Sequence, residues 1–201
     1  MKRLIVVGAG PIGLVAAAQA RARGLDVTVL ERDRVGEAMR RWGRTRFFTQ
    51  FEMNLPADVR ELLGGSAPVR DRLLLGREMV EQVLEPLASH PILEGRVLIG
   101  HRVVAIGRTG LTRSEFAGHP LRAERPFRVL ASTAAGERTF EAETVLDASG
   151  AGTPTNFGPG GLPALGELEH GGAIVRHLED LENSLPGAGG KRILVLGYGH
   201  S

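Results

Sequence analysis

Residues 4–13 read Leu4-Ile5-Val6-Val7-Gly8-Ala9-Gly10-Pro11-Ile12-Gly13, and residues 26–32 read Asp26-Val27-Thr28-Val29-Leu30-Glu31-Arg32. The first four form a continuous β-favouring run, as expected of a strand covered on both faces. Glycines then recur as Gly-x-Gly-x-x-Gly and lead into an alanine-rich stretch expected to be helical through about Arg23. Gly24 is placed to end that helix as the glycine just beyond its cap, with Leu25 behind it. Residues 26–30 read as a second strand, and Glu31 stands at its end. A strand, glycine turn, helix, strand and terminal acid in this order predict a dinucleotide-binding βαβ unit.

The chemistry explains the residue types. Gly8 permits a tight turn, Gly10 lets the backbone approach a pyrophosphate, and Gly13 removes a side chain where helix and strand meet. Pro11 suits the first helical turn, where an N–H would go unused. The helix N-terminus offers N–H groups and a partial positive charge. Gly8, Gly10, Pro11, Ile12 and Gly13 are therefore the candidate pyrophosphate-binding residues. Glu31 follows at the spacing of an acid that binds ribose hydroxyls and repels a 2′-phosphate, with Arg32 beside it. The competing reading is a glycine-rich turn in a βαβ unit of another kind.

Composition narrows the function classes. The 201 residues are 42% hydrophobic, enough for a core, and the formal net charge is only +2. The arginine excess behind a pI of 9.6 is scattered. With aromatics at 4%, no stacking platform for nucleic acid is expected. No cysteine is present, which excludes a thiolate metal site or a redox cysteine pair within these residues. The six histidines show no clustered ligand spacing, so no metal site is expected. Met1-Lys2-Arg3 and the apolar run after it loosely resemble a secretory leader, but Gly8, Gly10, Pro11 and Gly13 would break its apolar core. A cytoplasmic protein with no membrane partner is the expectation.

The middle of the chain is less regular. Residues 33–67 are loop-rich and contain Trp42, Phe47, Phe48 and Phe51, with a short helix expected over 57–63 after Pro56. Trp42, among Arg40, Arg41, Arg44 and Arg46, has two readings: a wall for a bound cofactor and its phosphates, or part of a satellite core under a long loop. Val80, Val83, Leu84 and Leu87 mark one face of a helix within 76–89, with Pro86 bending or ending its last turn. Strands are expected over 96–99, 103–107, 127–132 and 139–142. The last three would form an antiparallel excursion with turns at 118–120 and 135–136. Residues 144–146 read as a buried strand that enters Asp147-Ala148-Ser149-Gly150, where small residues would let a cofactor backbone come close. An ordinary turn is the competing reading of that tetrapeptide.

A glycine- and proline-rich linker spans 184–190, and then the opening pattern returns. Lys191-Arg192-Ile193-Leu194-Val195-Leu196 reads as a strand entering Gly197-Tyr198-Gly199-His200-Ser201. Two strand-Gly-x-Gly elements argue for two nucleotide-binding units, the second broken off at Ser201.

On these residues the chain resembles the two-dinucleotide-binding-domain flavoproteins, which include flavin monooxygenases and thioredoxin-reductase-like oxidoreductases. Arg41-Trp42-Gly43-Arg44, Asp147–Gly150, Gly161–Glu167 and Gly199-His200-Ser201 are similar to a bacterial subgroup of FAD-dependent oxidoreductases. The resemblance implies FAD on Gly8, Gly10, Pro11 and Gly13, with its ribose on Glu31. It also implies adenine contacts from the Val104 backbone, and it places Ala148, Ser149 and Gly150 near the pyrophosphate and the domain crossing. Gly197, Gly199 and Ser201 would begin an NAD(P)H phosphate loop. The fold implied is α/β, a Rossmann-type parallel sheet with flanking helices and a small antiparallel β excursion. Residues 1–183 would be the FAD-binding domain, 184–190 the linker, and 191–201 the start of an NAD(P)H-binding domain. The activity implied is an FAD-dependent oxidoreductase that uses NAD(P)H on a small-molecule substrate of unknown identity, with no catalytic residue assigned. The family's redox-active cysteine pair has no counterpart here. A catalytically silent nucleotide-binding module and a Rossmann protein that uses NAD directly are the rivals. The strand at 191–196 is expected to dock on the FAD-binding domain or to pair with a second copy in a homodimer.

Overall fold

The computed structural model describes residues 2–150, 162–176 and 184–195. Strand β1, Arg3–Val7, shows why an unbroken apolar run was needed. Leu4 and Val6 enter one core cluster and Ile5 and Val7 another, so alternate side chains go to opposite faces and both faces are covered. Helix α1, Pro11–Ala22, buries Leu14, Ala17 and Ala18 on the first of those faces. It ends with paired bonds, Gly24 N–H to the Arg21 carbonyl at 2.9 Å and Leu25 N–H to that of Ala20 at 3.0 Å. Gly24 has φ +81°, the left-handed conformation this ending requires. Strand β2, Asp26–Glu31, then returns parallel to β1, pairing Leu4 with Val27 and Val7 with Leu30.

Helix α2 is Glu37–Arg40, α3 is Phe51–Asn54 and α4 is Ala57–Leu63. Helix α5, Gly76–Met79, continues without a break through a π-helical turn, Val80–Leu84, into α6, Glu85–Ala88. Pro86 therefore does not end the helix, which runs on to Ala88. It lacks the N–H that an α-helix would direct to the Gln82 carbonyl, and the wider turn before it accommodates the loss. Met79, Val80, Val83, Leu84 and Leu87 all join the α1-side core.

Strand β3 is Val97–Ile99, β4 Arg102–Arg108, β5 Phe127–Thr133, β6 Gly136–Ala142 and β7 Thr144–Asp147, with α7, Pro120–Glu124, between β4 and β5. The main sheet has the order β3-β2-β1-β7, parallel throughout, and the smaller antiparallel sheet has the order β4-β5-β6. Val129 and Ala142 of the small sheet pack with Ile5, Val7 and Leu30. The layers are thus helices, parallel sheet and antiparallel sheet, the α/β Rossmann-type arrangement with its β excursion.

Several local expectations change. The β4–β5 connection is not a simple turn at 118–120, because Pro120 starts α7 and His119 Nδ1 caps it by accepting the Leu121 N–H at 3.2 Å. Strand β7 is half-exposed rather than buried, since it is the edge of the sheet among the described residues and has a neighbour only in β1. Residues 191–195 form no strand, and Ile193, Leu194 and Val195 are exposed. An apolar run becomes a strand only against a neighbour, and no described strand pairs with this one. The expected docking on the rest of the described unit is therefore not seen for residues 191–195. Leu196, Gly197, Gly199 and Ser201 lie outside the described residues.

Candidate functional site

The C-terminal ends of β1, β2 and β7 converge on the glycine loop. Ala148 N–H donates to the Val7 carbonyl at 2.9 Å, and Gly8 N–H donates to the Leu30 carbonyl at 2.8 Å. The three loop glycines then separate by what surrounds them. Gly8 has φ +101°, and a Cβ there would stand 2.6 Å from the Ala148 carbonyl oxygen. A Cβ on Gly13 would stand 2.0 Å from the Gly8 carbonyl oxygen and 3.3 Å from Val6 Cγ1. These two glycines are required by the protein's own packing. A Cβ on Gly10 would meet no protein atom within 4 Å, and its φ of −80° is open to any residue. Gly10 caps the N-terminus of α1 without a side-chain bond, and Pro11 and Ile12 open the first turn. Ile12 is exposed.

Ala9, fully buried, is held at both ends of its backbone. Its N–H donates to Glu31 Oε2 at 2.7 Å, and its carbonyl accepts the Gly36 N–H at 3.0 Å. Glu31 Oε1 accepts the Asp33 N–H at 2.8 Å. Glu31 is only 9% exposed, so both oxygens are already tied to backbone. A carboxylate has about four lone-pair sites, so capacity for a ribose hydroxyl remains. Arg32 is exposed and pairs with Asp33 at 2.9 Å.

On the β7 side, Ser149 donates its N–H and its hydroxyl to Asp147 Oδ1 at 3.0 and 2.6 Å. The hydroxyl first, then the backbone N–H, holds the Asp147 carboxyl below the usual carboxylate range. Gly150 follows with φ +80°. Residues Gly8, Gly10, Pro11, Ile12, Gly13, Glu31, Ala148 and Ser149 thus gather at one end of the sheet, where ligands of open α/β sheets bind.

Two candidates lie on other layers. Val104 is an exposed bulge residue of β4: Val103 pairs with Ala131 and Ala105 with Leu130, leaving Val104 without a ladder partner. A bulge of this kind frees backbone groups for a contact outside the sheet. Trp42 stands on the helical side, its ring 5.1 Å from that of Phe47, and packs against the core. Gly76 lies against it: a Cβ there would stand 2.3 Å from the Met39 carbonyl oxygen and 2.9 Å from Trp42 Cβ. Among the arginines near Trp42, Arg40 pairs with Glu85, Arg41 with Glu37 and Arg46 with Glu78. Their geometry matches a core edge laced with ion pairs.

Sequence reasoning missed Gly36 and His101. The Gly36 contact with Ala9 spans the loop and carries no motif. His101 N–H donates to the Glu31 carbonyl at 2.8 Å, and its ring nitrogens meet the Ile99 carbonyl and Arg138. Among the described residues no group of His, Cys, Asp or Glu is placed to hold a metal ion, and no helix is long and apolar enough to cross a membrane.

Residues 5–72 match the family described as Pyridine nucleotide-disulphide oxidoreductase. A curated relative, Ferredoxin--NADP reductase 1 of Cupriavidus metallidurans, is 30% identical over 98% of this chain. By sequence and fold alike, the chain resembles the two-dinucleotide-binding-domain flavoproteins. Among solved structures, the bacillithiol disulfide reductase Bdr (YpdA) from Bacillus cereus aligns over 73% of this chain and 39% of its own, at 19% identity and TM-score 0.55. An oxidized steroid monooxygenase bound to NADP aligns over 78% of this chain and 28% of its own, at 22% identity and TM-score 0.53. These two likenesses concern the fold. The chain spans 46% of the length of the curated relative it matches.

Proposed function

We propose that this chain binds FAD at the β1–α1 loop and forms part of an FAD-dependent oxidoreductase that takes electrons from NAD(P)H. The open space at Gly10 carries the reading. Gly8 and Gly13 are glycines because the protein leaves them no room, whereas Gly10 is a glycine at a helix N-terminus with nothing of the protein against it. A diphosphate accounts for that choice, because the backbone N–H groups there would otherwise lack an anion to face. Glu31, at the end of β2, is placed for the ribose, and Ser149 and Gly150 close the same end of the sheet. The 30% identity to a ferredoxin–NADP reductase supports the same chemistry.

When bound, FAD supplies a ring system that takes up a hydride from a reduced nicotinamide and passes electrons onward. The chain's own residues bind and orient. The α1 N-terminus offsets phosphate charge, the Glu31 carboxylate discriminates against a 2′-phosphate, and the Val104 backbone is free for an adenine edge. Residues 1–183 are the FAD-binding part on this reading, and 191–201 begin the NAD(P)H-binding part. The enzyme works in the cytoplasm, where NAD(P)H is supplied, on a small-molecule substrate.

The test is reconstitution. The purified chain should take up FAD and show flavin absorbance at about 450 nm, and Gly10→Val should abolish uptake while leaving the melting temperature near that of the parent. A folded protein that takes up no added FAD overturns the proposal. Tighter binding of NAD than of FAD would make it an NAD-using Rossmann protein. Bleaching of bound flavin by NADH or NADPH separates an enzyme from a silent binding module.

A further inference from the structure

The glycine loop is held from behind by a second turn that no motif marks. Ala9 lies between Gly8 and Gly10, so the orientation of its two peptide units sets where the Gly10 backbone points. One hold is the Glu31 carboxylate on the Ala9 N–H, at 2.7 Å. The other is the Gly36 N–H on the Ala9 carbonyl, at 3.0 Å. Gly36 is buried and left-handed, φ +64° and ψ +23°, just before α2. It is also wedged: a Cβ there would stand 2.6 Å from Val80 Cγ2 and 3.0 Å from Leu84 Cδ1. Val80 and Leu84 are fully buried and bound the π-helical turn.

From this arrangement we infer that Gly36 is a positioning residue for dinucleotide binding, pressed by Val80 and Leu84 into the one place from which its N–H can fix Ala9. The inference rests on the proposed function, since it assumes that the loop carries a diphosphate. Three physical facts support it. A left-handed conformation is costly for residues with a Cβ, so the turn demands glycine. The contact below 3 Å is with the branched Val80, with Leu84 at 3.0 Å beside it in a close-packed core that cannot yield cheaply. The Ala9 carbonyl is buried, so loss of its donor would leave an unsatisfied acceptor unless the loop moved. Displacing Gly36 therefore moves the loop, and Gly10 with it, although Gly36 is not proposed to touch the ligand.

The experiment compares paired variants of the full 201-residue chain, using ADP and FAD as probes and measuring both affinity and melting temperature. Gly24→Ala is the control for Gly36→Ala: Gly24 has φ +81° at the far end of α1, and a Cβ there meets nothing within 4 Å. Both variants should lose thermal stability, but only Gly36→Ala should weaken ADP binding, by tenfold or more. Because Gly36→Ala can fail to fold, Val80→Ala and Val83→Ala form a second pair. Both valines are fully buried, but Val80 supplies the atoms nearest to Gly36. Val80→Ala should weaken ADP binding several-fold, and Val83→Ala should leave it within a factor of two. Equal ADP affinity across either folded pair, with a parent that binds ADP, overturns the inference and leaves the proposed function standing. A folded parent that binds neither ADP nor FAD overturns both.

Discussion

Residues 2–7 and 191–196 have nearly the same make-up, basic residues followed by an aliphatic run, and both lead into Gly-x-Gly. Their surroundings are opposite. Val6 has no exposed surface, with β2 and β7 on either side and α1 above, whereas Leu194 is 81% exposed and pairs with no described strand. Local pattern proposes a strand, but neighbours decide whether one forms. In β1 each core side chain contributes about 2 kcal/mol of burial, on both faces at once. In residues 191–195 the same side chains contribute none of it to the described structure.

Substitutions in the two regions should differ sharply in their effect. Gly13→Ala should destabilise most, by about 3 kcal/mol or more, because its Cβ would stand 2.0 Å from the Gly8 carbonyl oxygen and backbone must shift. Leu14→Ala removes a side chain with no exposed surface and should cost about 3 kcal/mol. Leu194→Ala should stay within about 0.5 kcal/mol. Urea unfolding of the three variants checks the order. An effect of Leu194→Ala as large as that of Leu14→Ala would mean that residues 191–195 are packed in solution, as pairing with a second copy would require.

The smallest effect concerns the edge. Glu143 accepts the Arg3 N–H at 2.7 Å and its guanidinium at 2.9 Å, fastening the start of β7 to β1. The guanidinium first, then the backbone N–H, pulls the Glu143 carboxyl from 4.5 down to about 2. A carboxyl whose folded pKa is depressed stabilises the fold above its unfolded value, and that contribution fades as pH falls from about 4.5 towards 2. Both partners are solvent-exposed, so the effect is slight. Glu143→Gln should speed hydrogen exchange in β7 and flatten the acid limb of a stability–pH curve over that window. An unchanged acid limb would show that the fastening contributes nothing.

Much of the first unit was legible because its signals are local. The run of residues 4–7, Gly24, Pro56 and the stop at Gly64 act within a few residues of themselves, and the elements end where those signals stand. The division of labour among the glycines was legible in the motif, whereas the Ala148 carbonyl that walls Gly8, far along the chain, was not. The Val104 bulge was hidden because residues 103–107 alternate no differently from a regular strand. Trp42 was ambiguous for a related reason: Phe47 is close in sequence, but Gly76 and the core against which Trp42 packs include residues far along the chain. Gly36 was unreadable because its constraint comes from Val80 and Leu84, which belong to an unrelated periodicity.

The fastening of Arg3 to Glu143 also bears on the order of folding, because those residues are 140 positions apart. Strands β1 and β2 meet after one helix, whereas β1 and β7 meet only when the rest of the described unit has been gathered between them. Closing so long a loop costs entropy before its contacts repay it, and pairings of that separation form slowly. The wall that Ala148 gives Gly8 is therefore expected to arrive last, and on the proposed function the competence to hold ADP should lag behind helix formation in stopped-flow refolding. Simultaneous recovery of the two signals would show that the distant strand is captured early. A nucleotide present during synthesis would in the first case meet a loop that is complete in sequence but not yet shaped to receive it.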